Sequence, residues 1–157
     1  MNPMSEYKVE KDRFSVKLFF LDGTSKEGHI FLSLQAAHHE GHELVMDVLN
    51  EPERFLPIKF LDGPTKLINK GNLVMISFPS TEREDSGEDS ALEKTEAQVV
   101  IHLVNDTRLD GSFLFVLPNH ARRVKDFLNQ TACYLELRKN GETYLINKDH
   151  ILYVEEK

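Results

Sequence analysis

The chain carries one pattern twice. Tyr144-Leu145-Ile146-Asn147-Lys148-Asp149-His150-Ile151-Leu152-Tyr153-Val154 reads as an apolar run, Ile-Asn-Lys, two turn-forming residues and a second apolar run. Lys66-Leu67-Ile68-Asn69-Lys70-Gly71-Asn72-Leu73-Val74-Met75-Ile76 repeats that order. A repeat constrains a fold more than composition does, because overlooking it misassigns the whole architecture. The match extends upstream. Asp47-Val48-Leu49-Asn50 answers to Asp126-Phe127-Leu128-Asn129, and Leu56, Ile58 and the turn near Asp62-Gly63 answer to Leu135, Leu137 and Asn140-Gly141. Val16, Leu18, Phe20, Thr24 and Gly28 follow the order of Val99, Ile101, Leu103, Thr107 and Gly111. Two copies are too few for a solenoid, so the expectation is a pair of modules that share an interface.

Each copy has the same expected elements. Val16, Leu18 and Phe20 alternate on one face of a strand that turns at Asp22-Gly23-Thr24 and returns over 27–34. Leu44, Val45, Val48 and Leu49 make the stripe of a short helix, which Asn50 can close and Pro52 stops. A strand over 54–60 contains Pro57, which points to a sheet edge or a bulge. Two further strands, 65–69 and 73–78, flank Lys70-Gly71-Asn72. In the second copy Asn140-Gly141 is a strong hairpin signal, and Ala121, Val124, Phe127 and Leu128 form the helical stripe. The expected class is mostly β with short helices (β/α+β): two tandem small five-stranded barrels or sheets, each strand-strand-helix-strand-strand-strand. The expected boundaries are a flexible N-terminal tail (1–13), a first repeat (14–78), an acidic linker (79–96) and a second repeat (97–157).

This order loosely resembles small SH3-like or Sm-like barrels, although the helix sits in an unusual place for Sm proteins. The run Arg123-Val124-Lys125-Asp126-Phe127-Leu128-Asn129, followed by Tyr144-Leu145-Ile146-Asn147-Lys148, also resembles a small bacterial domain of unassigned function. That resemblance implies a tandem duplication and assigns no catalytic residue. The first copy departs from it, with Leu44 where an arginine would stand.

Charge narrows the function. The net charge is −7, and seven acids against two bases fall between Thr81 and Glu96, so the remainder is nearly balanced. A nonspecific nucleic-acid binder needs a basic excess, so nucleic acid is disfavoured. No apolar run is long enough for a membrane helix and the N-terminus has no apolar signal core, so no membrane association is expected. The lone Cys133 excludes an internal disulfide, which fits a reducing cytoplasm, and the resemblance above implies a bacterial one. Within its strand Cys133 is expected to be a buried, inert thiol.

The densest ligand cluster is His38-His39-Glu40-Gly41-His42-Glu43. His38, His39 and His42 are candidate metal ligands, which would open a metal-dependent hydrolase reading. The spacing is not His-Glu-x-x-His, and the second copy has no counterpart. Asp47 and Asp126, with Asn50 and Asn129, recur at matched helical positions and read as structural, as do the turn residues Asn69 and Asn147. The first hairpins also carry apolar residues on their outer faces: Phe19, Leu21 and Phe31 in one copy; Val100, Val104, Leu114 and Val116 in the other. Strands apolar on both faces are buried on both, first by the other copy and otherwise by a partner. Phe19, Phe31, Arg122 and Arg123 are the candidate partner-binding residues. The expectation is a non-catalytic protein-interaction or regulatory module, not an enzyme, with no cofactor and with a protein partner or a homodimer. An Sm-like RNA-binding protein is the alternative.

Overall fold

The computed structural model describes residues 11–80, 95–115, 123–130 and 132–157. The expected linker lies almost wholly outside them, as do most of the expected tail and Arg122. The chain is mostly β. The first half runs β1 (Lys11–Phe20), β2 (Ser25–Ser33), α1 (Val45–Leu49), β3 (Phe55–Phe60), β4 (Thr65–Asn69) and β5 (Leu73–Pro79). The second runs β6 (Thr95–Leu103), β7 (Arg108–Phe115), α2 (Val124–Leu128), β8 (Tyr134–Lys139), β9 (Glu142–Asn147) and β10 (Ile151–Glu156). A 3-10 turn, Lys70–Asn72 or Lys148–His150, separates the last two strands of each half.

The strands form one antiparallel sheet rather than two separate ones. Its order is β10-β6-β7-β8-β9-β5-β1-β2-β3-β4. Each half therefore has its last strand beside its first, followed by the second, third and fourth. The halves join where β9 pairs with β5, with Met75 opposite Ile146, Ile76 opposite Leu145 and Ser77 opposite Tyr144. Among the described residues the sheet does not close, and β10 and β4 are its free edges.

Local details repeat with the strand order. The Thr24 amide and hydroxyl both donate to Asp22 Oδ1, and the Thr107 amide donates to Asn105 Oδ1. Gly23 and Asp106 each turn with positive φ, at 90° and 66°. Asp is among the few non-glycine residues that tolerate that region. The ladder between first and last strands slips once in each half, at Phe19/Phe20 and at Ile151/Tyr153. Gly28 and Gly111 sit where the second strand meets the third. A Cβ there would lie 2.8 Å from Ile58 Cγ2 and 3.0 Å from the Lys59 carbonyl in one case, and 2.8 Å from the Arg138 carbonyl in the other. Only glycine permits so close a crossing.

Two hydrophobic clusters lie along the sheet, and each borrows from the opposite half. The first holds Leu18, Ile30, Leu49, Ile58 and Ile76, and takes Tyr134 and Leu145 from the second half. The other holds Val99, Ile101, Phe113 and Leu137, and takes Val74 and Met75 from the first half, with Phe19 packed against it. The strand β5 is buried from Leu73 to Phe78 because neighbours cover both its faces. Burying a side chain the size of Leu145 contributes roughly 1.5–3 kcal/mol, so the joint is a substantial part of both cores.

Polar bonds close the joint. Asn50, which ends α1, accepts from the Cys133 and Tyr134 amides through Oδ1 at 2.9 and 3.1 Å. Asn147 Nδ2 donates to the Leu73 carbonyl at 3.1 Å, and His150 Nε2 lies 2.6 Å from the Gly71 carbonyl. The Ser80 and Thr143 hydroxyls meet at 2.7 Å. The Asn147 bond satisfies a Leu73 carbonyl that burial would otherwise strand.

Two expectations need correction. Pro57 is not at a bulge or on an outer strand of the sheet, since β3 lies between β2 and β4 and Pro57 pairs opposite Leu67, but its side facing β2 is unpaired. The β2 ladder stops at Ile58, one residue short of Pro57, whose nitrogen has no hydrogen to extend it. Cys133 is exposed rather than buried, because β8 begins at Tyr134 and leaves the thiol in the preceding turn.

Candidate functional site

The end of the β2–β3 ladder opens a groove. Past Ile30 and Ile58 the strands diverge, and α1 with the segment after it forms the far wall. The groove has a volume of about 330 Å³. Phe31, Val48, Phe55, Leu56 and Pro57 line it with apolar surface. Glu43, Glu51 and Glu53 supply carboxylates, and Lys11 and Lys70 supply ammonium groups.

Those charges differ in how they are held. Lys70 Nζ donates to the Glu51 carbonyl at 2.7 Å and to the Leu49 carbonyl at 3.3 Å, which ties it to the end of α1. Burial lowers its pKa, while the charges of Cys133, Glu53 and Glu51 act in the opposite sense. Glu43 Oε1 accepts from the Ser33 amide at 3.0 Å and braces the wall. Glu53 is exposed at the mouth. The arrangement suits an apolar side chain on the floor and a cation at the rim.

Of the candidate partner-binding residues, Phe31 lines this groove. Phe19 is half-buried against the second cluster, so it serves the contact between halves. Arg123 is exposed at the start of α2. The other outer-face residues divide: Val100 is buried, Leu21, Val104 and Leu114 are exposed, and Val116 lies outside the described residues.

His38, His39 and His42 are exposed in the loop before α1. Among the described residues no three His, Cys, Asp or Glu side chains converge to hold a metal ion. His39 Nε2 lies 2.6 Å from Asp47 Oδ2, and the same oxygen accepts from the Leu44 amide at 2.7 Å. Asp47 thus satisfies a free amide at the helix start, the structural role expected of it. Asn69 and Asn147 each accept from the amide two residues on, as expected of turn residues.

The Tyr134 ring is buried between the halves, and burial pushes its hydroxyl pKa up, with the charges of Cys133 and Asp149 adding to the rise. Lys148 Nζ donates to the Gln130 carbonyl, and burial lowers its pKa. Of the rings and cations that a single-strand platform would use, Tyr134 is thus covered and Lys148 engaged, while Tyr153 is exposed.

Phe55, Glu51, Glu53 and Lys70 were missed as site residues. The available signal was Pro57 inside an apolar strand just after Glu51-Pro52-Glu53, which marks a ladder that must stop beside a charged turn. No protein-family model matches the chain, and no curated protein or solved structure matches it either.

Proposed function

We propose that the chain is a non-catalytic protein-interaction module, built from two copies of one small barrel-like unit. Its groove at Phe31 takes an extended partner segment that carries a large apolar side chain followed by a lysine or arginine. The observation that carries this reading is the groove itself: an aromatic and proline floor that stays accessible, with carboxylates at the rim. Phe55 remains 53% exposed there, and an aromatic in an open groove is the kind of residue that anchors a partner. The repeated strand order, the repeated ladder slip and the paired glycines support the two-copy reading.

Selection of displayed random peptides against the full chain tests the groove. Enriched peptides should share an apolar residue next to a basic one. Phe31→Glu should weaken them about tenfold or more. Failure to enrich any such peptide, or equal binding by Phe31→Glu, would remove the groove from consideration.

A further inference from the structure

The free edges β4 and β10 occupy, in their own halves, the positions that β9 and β5 occupy at the joint. Register fixes the correspondence. Asn69 and Asn147 each open the 3-10 turn, and β5 and β10 each pair with the first strand of their half through the same slip. Leu67 therefore stands where Leu145 stands, Phe55 where Tyr134 does, and Leu152 and Tyr153 where Val74 and Met75 do. At the joint those four positions are at most 3% exposed; at the free edges Leu67, Phe55, Leu152 and Tyr153 are 53–69% exposed. The edges carry the apolar residues of a joint without its cover.

We propose that a second copy of this chain supplies that cover, with β4 of one molecule pairing antiparallel to β10 of the next in the register already used between β9 and β5. That register places Tyr153 opposite Ile68, Val154 opposite Leu67, and Glu155 opposite Lys66. The charges select the pairing. A charged edge strand ordinarily resists augmentation. Here β4 offers Lys66 and β10 offers Glu155 and Glu156, so like edges repel and unlike edges attract. The side-chain bonds of the joint have counterparts too. Asn69 would donate to the Lys148 and Ile151 carbonyls as Asn147 does to Lys70 and Leu73. Asn129, exposed at the end of α2, would accept from the Arg54 and Phe55 amides as Asn50 does from Cys133 and Tyr134. The contact is head-to-tail, so each molecule keeps one edge of each kind, and growth ends only if the rotation closes a ring.

The test uses Leu67→Glu and Tyr153→Glu. Both residues are exposed and neither lines the groove, and circular dichroism is to check that each variant folds. Sedimentation of the wild type should give a mass above one chain that rises with concentration. Each variant alone should be monomeric, since every junction needs a sound β4 and a sound β10. An equimolar mixture of the two should form a species of two chains and nothing larger, because only one sound junction can be made. A wild type that stays monomeric at the highest attainable concentration overturns the proposal. So does an oligomer that survives both substitutions, or a mixture that remains monomeric. Phe55 belongs to both the groove and the edge, so peptide selection is repeated on Tyr153→Glu, which alone is monomeric with β4 uncovered; the groove is then read apart from assembly and the two ideas fail separately.

Discussion

The strands β5 and β10 hold the same place in their halves and have opposite surroundings. Both follow a 3-10 turn and both pair with the first strand of the half through a slipped register. Yet Leu73-Val74-Met75-Ile76-Ser77-Phe78 is buried throughout, whereas Ile151-Leu152-Tyr153-Val154-Glu155-Glu156 has no buried residue. The cause is the neighbour: β5 is covered by β9, and β10 forms an edge. Composition follows position, for the edge strand has Glu155 and Glu156 where the interior one has Ser77 and Phe78. Burial in this chain is thus set less by what a half contains than by which of its edges is taken.

That contrast can be broken first at Leu145 and Leu67. Leu145→Ala removes a side chain shared by the joint and the first core, and we expect a loss of about 2–5 kcal/mol. Leu67→Ala, at the matching position of an open edge, should change stability by about 0.5 kcal/mol or less. Urea denaturation at low protein concentration measures both. Similar losses would mean that the joint carries no special share of stability.

The glycines test where the halves agree. Gly28→Ala and Gly111→Ala each drive a Cβ against a backbone carbonyl and a core side chain, Ile58 or Leu137. We expect each to cost about 1–3 kcal/mol by thermal or urea denaturation. A cost at only one of them would show that the strand crossing is made differently in the two halves.

Asn50 and Asn129 test where they differ. Asn50→Ala strands the Cys133 and Tyr134 amides and should cost about 1–2 kcal/mol. Asn129→Ala removes a bond from Nδ2 to the Lys125 carbonyl on an exposed turn and should cost about 0.5 kcal/mol. Equal costs would place the worth of Asn50 in closing its helix, not in spanning the halves.

Much of this fold was legible because periodicity and turn chemistry are local. Alternation in 14–20 and 97–103, Asp22-Gly23-Thr24, and Asn140-Gly141 each carry their meaning in a few residues. The single sheet was not legible. Nothing near Tyr144 states that it faces Ser77, since antiparallel pairing between distant segments depends on which edges remain free after folding. The face containing Phe19 was read as apolar on both sides, and it does pack against the other half; the strand most completely covered proved to be β5. The groove was half legible. Pro57 announced an interruption, but where β2 leaves β3 is fixed by the strand crossing at Gly28 and by the placement of α1. Cys133 was misread because its apolar neighbours suggested a strand that begins one residue later.

The smallest expected effect separates Tyr134 from Phe55, the residues that begin β8 and β3. Tyr134 is buried at the joint, and burial raises its pKa above the ordinary tyrosine value of 10.0. The unfolded chain therefore gives up this proton more readily than the folded one. The stability tied to the neutral hydroxyl is complete below about pH 10 and is lost as pH rises beyond it, because ionisation then favours the unfolded state. In Tyr134→Phe that loss should vanish and the alkaline limb of the stability curve should flatten. At neutral pH the substitution should cost about 1 kcal/mol or less, since the hydroxyl has one long bond, 3.4 Å to the Lys70 carbonyl. Urea midpoints between pH 8 and about pH 11, with tyrosine ionisation followed by ultraviolet absorbance, measure both effects. Phe55 has no hydroxyl, so Phe55→Tyr, measured at low protein concentration where β4 is unpaired, should leave the alkaline limb unchanged. If it steepens that limb as Tyr134 does, then Phe55 is covered within the single chain and the edge beside it is not open.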